Sequence, residues 1–189
     1  MNRYDTVNPV PGGRKHVLVC RKLLGSGFGC VRICVCGGEK DGVAVRGDEE
    51  TAILHGSVVA FAGRGVLILG ASGAGKSELA LALIGRGGGL VADDRVRLQR
   101  RGAALVASAP EALEGLIEAR GVGLLRVTVA PEAVVVLAVD LDRRPAARMP
   151  QPVTIACLGV DVELISGAEV PNLDAALTVF VQNGRAFPD

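Results

Sequence analysis

Apolar residues are distributed in two regimes along the chain, and the change falls near residue 50. Before it, glycine-rich stretches (PGG, GSGFG, GGEKDG) interrupt every run, and neither the two-residue nor the 3.6-residue period is sustained. Such a segment buries little apolar surface. Residues 1–50 therefore read as a poorly structured or accessory N-terminal piece, or as an over-long translation start with the working chain beginning near Glu49. From Thr51 the patterning becomes regular, which marks 51–189 as the folded unit. ILHGSVVAFAGRGVLIL (53–69) predicts two strands joined at Ala62–Gly65. SELALALIGR (77–86) predicts a helix with Leu79, Leu83 and Ile84 near one face, stopped by GRGGG. LVADDRVRLQRRGAALVAS (90–108) predicts a strand and then a hairpin, after which Pro110 opens a short helical turn. GLLRVTVA and AVVVLAVDL predict two more strands, and TIACLGVDVELI a further hairpin. PNLDAALTVFVQNG (171–184) predicts a closing helix with Leu173, Leu177 and Phe180 on one face, Pro171 at its start and Gly184 at its stop. Strands outnumber helices, so the expected fold is a β-rich α/β single domain rather than a two-sided Rossmann alternation.

Between the second strand of this set and the first helix the chain reads GASGAGKS (70–77), which fits the phosphate-binding loop G-x-x-x-x-G-K-[ST]. Gly70 and Gly75 let the backbone wrap close to a polyphosphate where side chains would clash. Successive N–H groups from Gly70, Ala71, Ser72, Gly73, Ala74, Gly75, Lys76 and Ser77 can then line one anion-binding concavity at a helix N-terminus. Lys76, the only lysine after Lys40, brings a compact charge to the terminal phosphates. The Ser77 hydroxyl can hold Mg²⁺. Flanking strand and helix patterns put the motif in the context its chemistry needs, so the chain is expected to bind a nucleoside triphosphate, with ATP and Mg²⁺ as cofactors.

Composition narrows the rest. A formal net charge of +1 leaves no basic footprint for nucleic acid, and with 3% aromatic residues there is no platform for stacked bases. The longest apolar run, VVVLAV (134–139), is far too short to span a membrane, and HVLVC is too short for a signal-peptide core. Cys20, Cys30, Cys34, Cys36 and Cys157 contain no C-x-x-C pair, which speaks against zinc. An odd number of cysteines without a signal favours reduced thiols and a cytoplasmic setting.

A triphosphate site needs an acid to organise Mg²⁺, and a transferase needs a group to accept the attacking hydroxyl's proton. Asp93–Asp94 after LVA and Asp140 after VVVLAV compete for these roles; the latter has the look of an ordinary Walker B strand end. Neighbouring strand side chains point to opposite faces, so Asp93 and Asp94 can share a site only if the strand turns there. Otherwise they are a solvated acidic turn. His55 is the only histidine past residue 16. It is either a hydrogen-bonded structural residue or, if its strand neighbours the loop's strand, part of the site. Glu118 and Arg120 in IEARGVG either bring a carboxylate to a metal or end a hairpin.

Together LHG (54–56), GASGAGKSE (70–78), RGGGLVADDRV (86–96) and IEARGVGLL (117–125), in this order, closely resemble the catalytic domain of bacterial HPr kinase/phosphorylase. The resemblance runs from about Thr51 to Gly184. It implies a PEP-carboxykinase-like fold and ATP- and Mg²⁺-dependent phosphorylation of a serine on the phosphocarrier protein HPr. Many members also remove that phosphate by phosphorolysis. By motif, Lys76 would contact the phosphates, and Ser77 and Glu118 would bind Mg²⁺. Asp94 would take the seryl proton forward and return one in reverse, Asp93 would assist at metal or phosphate, and His55 would tune the acid. Arg148 in RMP is the candidate for an arginine that the family uses further on. The resemblance also implies a homo-oligomer, a hexamer in the family.

Two departures qualify this. The first fifty glycine-rich residues do not read as the family's separate N-terminal domain, so the chain is expected to resemble a short proteobacterial form, with either HPr or an HPr homologue of a nitrogen-linked phosphotransfer chain as its target. The family's Pro-Gly-Arg-Asn stretch, linked to dephosphorylation, reads GAEVPNLDAAL (167–177) without its arginine, so the kinase direction is the firmer expectation. Two rival readings remain. A small-metabolite kinase would clamp its substrate with basic pairs such as Arg100–Arg101 and Arg143–Arg144. A non-catalytic ATP-binding module would bind ATP tightly and transfer nothing.

Overall fold

The runs SVVAF, GVLIL and VVVLAV contain almost no polar residue, as strands buried on both faces must. A computed structural model, which describes residues 16–22, 28–34, 44–46, 49–110 and 115–186, places them side by side at the centre of the molecule. β1 (His16–Lys22) and β2 (Phe28–Cys34) form a two-stranded antiparallel sheet, and β3 (Ala44–Arg46) pairs with β4 (Glu49–His55). Then follow β5 (Ser57–Phe61), β6 (Arg64–Leu69), α1 (Lys76–Gly85), β7 (Gly89–Ala92), β8 (Arg95–Arg101) and β9 (Ala104–Ser108). β10 (Leu116–Ala119) and β11 (Gly123–Arg126) make a separate hairpin, and β12 (Glu132–Asp140), β13 (Thr154–Cys157), β14 (Val160–Ser166) and α2 (Leu173–Asn183) complete the chain. The large sheet runs β3-β4-β8-β9-β12-β6-β5-β7, with β14 added beside β12 and β13 beside β14. β6, β12 and β14 run parallel, whereas the neighbours of β5, β8 and β9 are antiparallel. This is the β-rich α/β architecture expected.

Alternate residues of the central strands serve two cores. Val59, Phe61, Val66, Ile68, Leu137 and Val139 face the helices, where Leu79 and Leu83 of α1 and Leu177 and Val181 of α2 meet them. Val58, Ala60, Leu67, Leu69 and Ala138 face the other way, against Leu98, Leu105, Ile155 and Leu164 of the outer strands. The helical faces fall largely where the periodicity put them, with Ile84 and Phe180 at the half-buried margins. Burial pushes the thiol of Cys157 up to about 12, so it is an inert core group.

One expectation needs correcting. Residues 53–69 form three strands, because Gly56 breaks the first run and sends β4 to β8 and β5 to β6. The turn joining β5 and β6 is as expected: Ala62 and Gly63, at φ 49° and 81°, make the tight two-residue connection that suits strand twist. The helical turn expected after Pro110 lies outside the described residues.

Candidate active site

The phosphate loop starts where β6 ends and stops where α1 begins. Gly70 (φ 151°) has no room for a side chain, since a Cβ there would lie 3.0 Å from the Ala74 Cβ and 3.2 Å from the Leu141 Cβ. Gly73 and Gly75 take φ of 84° and 93°, turning the backbone into the helix N-terminus that favours anions. Ala71 and Ser72 are exposed, while Ala74 and Gly75 are half-buried beneath them. Lys76 is only 6% exposed, and its ammonium donates to the Gly70 oxygen at 3.0 Å and the Ala71 oxygen at 2.8 Å. The loop's charge is thus held by the loop's own carbonyls.

β12 lies parallel to β6 in register Asp140↔Leu69, which brings its carboxyl end beside the loop. There the Ala71 N–H donates to Asp142 Oδ2 at 2.7 Å, and the Asp142 N–H donates to Asp140 Oδ1 at 3.0 Å. Burial holds the Asp140 carboxyl above the usual carboxylate range. Asp140 is therefore a buried anchor for the turn carrying Asp142, and among the described residues its ion-pair contact is Arg143 Nε at 4.0 Å.

The second acid pair sits on the opposite side of β6. β7 pairs with β5 as far as Val58↔Ala92 and then stops. Asp94 adopts φ 62°, a left-handed conformation that aspartate tolerates, and the Arg95 N–H closes the bend onto the Asp93 oxygen at 2.7 Å. The strand does turn between the two aspartates. Asp93 is half-buried, and its Oδ1 accepts from Ser57 Oγ at 2.5 Å and from Ser77 Oγ at 3.2 Å. Asp94 is exposed. Its carbonyl accepts from the Gly56 N–H at 3.3 Å and from His55 Nδ1 at 2.9 Å. A carbonyl can only accept, so the Nδ1 of His55 carries the proton. His55 reaches this place because β4 pairs with β8, His55↔Arg95, rather than with the loop's strand.

Gly56 is fixed by packing. A Cβ there would lie 2.9 Å from the Ile68 carbonyl oxygen and 3.0 Å from Leu54 Cδ1. Gly56→Ala is expected to cost about 1–3 kcal/mol, the usual range for overpacking a tight site. Denaturant unfolding measures this, and an unchanged midpoint would show that the β4–β5 break yields freely.

Ser77 meets Asp93 by a side-chain bond and His55 meets the Asp94 main chain, while Lys76, next to Ser77 in α1, bonds to carbonyls of its own loop. Glu118 and Arg148 do not join them through any bond among the described residues. Glu118 projects from the exposed side of β10, between buried Ile117 and Ala119, on a hairpin packed against α1. Arg148 is exposed in the segment that follows β12. Ser57 and Asp142 were missed as site residues. The one signal for Ser57 is a polar residue in an otherwise apolar strand, SVVAF. Asp142 carries no motif.

The donors suit Mg²⁺, a hard cation that takes one or two protein oxygens and completes its shell with phosphates and water. Ser77 gives its proton to Asp93 and keeps oxygen lone pairs for a cation. Among the described residues no group of three or more His, Cys, Asp or Glu forms a metal cage, so the phosphates would have to complete the shell.

A strand–loop–helix with this sequence, flanked by acids from two other strands of a β-rich sheet, defines a phosphate-loop α/β domain. The family model of the HPr Serine kinase C-terminal domain matches residues 49–140. HPr kinase/phosphorylase of Brevibacillus brevis is 50% identical over 78 residues, 41% of this chain and 25% of that protein. The Burkholderia lata protein of the same name is 42% identical over 127 residues, 61% of this chain and 39% of the relative. The solved structure of the HPr(Ser) kinase/phosphatase from Coxiella burnetii superposes with a TM-score of 0.58 at 30% identity, covering 69% of this chain and 94% of that one. The chain belongs to the HPr kinase/phosphorylase family. It spans a quarter to two-fifths of the length of these two curated relatives.

Proposed function

We propose that the chain is an ATP- and Mg²⁺-dependent protein-serine kinase whose substrate is an HPr-type phosphocarrier protein, with residues 51–189 as the catalytic part. The carrying observation is the division of labour in the acid pair. Asp93 is engaged by the Ser57 and Ser77 hydroxyls, while Asp94 stands exposed on the same bend. One carboxylate is thereby suited to the metal side and the other to an incoming hydroxyl.

In this reading the loop amides and Lys76 orient the triphosphate, and Lys76 trades its carbonyl partners for phosphate oxygens. Mg²⁺, when bound, neutralises charge on the transferring phosphoryl group. Ser77 holds the metal with Asp93 behind it. Glu118, exposed on the hairpin packed against α1, serves as the second metal ligand. Asp94 accepts the proton of the attacking seryl Oγ. His55 and Gly56 fix the Asp94 main chain, so the base is held in place from behind. Arg148 serves the incoming protein if the segment after β12 folds over the site. Phosphorolysis would run the same groups backwards, with Asp94 donating its proton.

Incubating the chain with HPr and Mg-ATP should yield phosphoserine on HPr and ADP in equal amounts, read by mass spectrometry. ATP binding without transfer to HPr would overturn the reading. It would leave a metabolite kinase or a non-catalytic module, which a screen for ADP release with small hydroxyl acceptors separates.

A further inference from the structure

Four polar or charged residues are buried among the described residues: Ser57, Lys76, Asp140 and Thr178. Three have partners that account for them locally. Lys76 bonds to loop carbonyls, Asp140 accepts from Asp142, and Thr178 donates to the Asp174 carbonyl one helical turn back. Ser57 alone reaches across to a side chain of the candidate site, while itself 0% exposed. Its neighbours Val58 and Val59 show what this strand otherwise wants. A hydroxyl in that setting costs stability unless it is hydrogen-bonded. Its bond to the Asp93 carboxylate is short, at 2.5 Å, as charge-assisted bonds are.

We infer that Ser57 is a positioning residue for the metal side of the site: its buried hydroxyl fixes the Asp93 carboxylate so that Ser77 is presented to Mg²⁺. The inference rests on the nucleotide-binding reading above. Three elements meet in it. β5 supplies Ser57, α1 supplies Ser77, and the bend after β7 supplies Asp93. Oδ1 of Asp93 receives both hydroxyls, so each serine spends its proton on the same oxygen. Ser57 lies in the sheet at Ser57↔Ile68, beside the strand that carries the loop, and cannot shift without the sheet. It therefore holds Asp93 at a constant place relative to the loop. Ser77, in the first turn of α1, keeps its lone pairs for the cation.

The test compares ATP affinity by calorimetry in Mg²⁺ and in EDTA for wild type, Ser57→Ala, Asp93→Asn and the double variant. Ser57→Ala is expected to leave affinity in EDTA within twofold of wild type. In Mg²⁺ it should weaken binding about tenfold, the size of one lost charge-assisted hydrogen bond. In the Asp93→Asn background the same change should add little, because the two residues act as one unit. Equal weakening in Mg²⁺ and EDTA would mean a general packing defect and overturn the proposal. So would no weakening, or a full additional loss on top of Asp93→Asn. Failure of the wild-type protein to bind ATP at all would instead sink the nucleotide-binding reading, and this inference with it.

Discussion

Lys76→Ala is expected to abolish ATP turnover, lowering phosphoserine formation by at least about 10³-fold, the upper end for losing one electrostatic donor to a transition-state oxyanion. The reason is where charge accumulates. Phosphoryl transfer develops negative charge on the transferring group, and there is little covalent work for the protein to do. Lys76 is the only lysine in 51–189, and its ammonium already lies over the loop at 2.8–3.0 Å from two of its carbonyls. No neighbouring cation stands ready in the loop to replace it. The substitution should leave the fold intact, because the two carbonyls it releases, at Gly70 and Ala71, lie at a half-buried and an exposed residue that water can reach. Steady-state phosphorylation of HPr, with circular dichroism as the folding control, measures the effect. Activity within tenfold of wild type would remove Lys76 from the phosphate site.

Asp94→Asn is expected to separate binding from chemistry. Nucleotide affinity should stay within about twofold, while transfer falls by about 10²–10⁴-fold, the usual worth of general-base help. The structure makes this an asymmetric prediction. Asp93 is tied to two hydroxyls, so its loss is expected to weaken Mg²⁺ and nucleotide binding. The Asp94 side chain is exposed, and its main chain is what His55 and Gly56 hold. Asparagine keeps the shape and tolerates φ 62°, so the bend should survive. Calorimetric ATP binding beside single-turnover phosphorylation of HPr resolves the two quantities. Loss of ATP binding equal to that of Lys76→Ala would refute the division between the aspartates.

Much of the candidate site is legible in the sequence. Local chemistry dictates the phosphate loop: glycines where the backbone must turn, a lysine, a hydroxyl, and apolar runs on either side. The two helices were legible for the same reason, since their buried residues recur at a spacing the sequence displays. The apolar residues on both sides of Gly56 make 53–61 read as one continuous strand, although glycine inside a strand can mark a break. The break lies in the change of pairing from β8 to β6 there, and the closeness of the Ile68 carbonyl and Leu54 leaves no room for a side chain at that point. His55 was tied in expectation to the loop's strand, but it reaches Asp94 through a different pairing, β4 with β8.

The phosphate-loop motif, the β-rich α/β class and the short catalogue of acids can all be read along the chain, because each depends on residues adjacent in it or repeated at a fixed period. Which of those acids stands beside Ser77 follows from the tertiary structure. Asp140 ends the strand parallel to the loop's strand, where a metal-binding acid is looked for, yet burial and the turn to Asp142 occupy it. Asp93 follows β7, which is separated from β6 by β5 and antiparallel to β5, and meets Ser77, with Ser57 behind it. Such encounters depend on sheet order and register, and those are set by which apolar faces must be buried together across the whole domain.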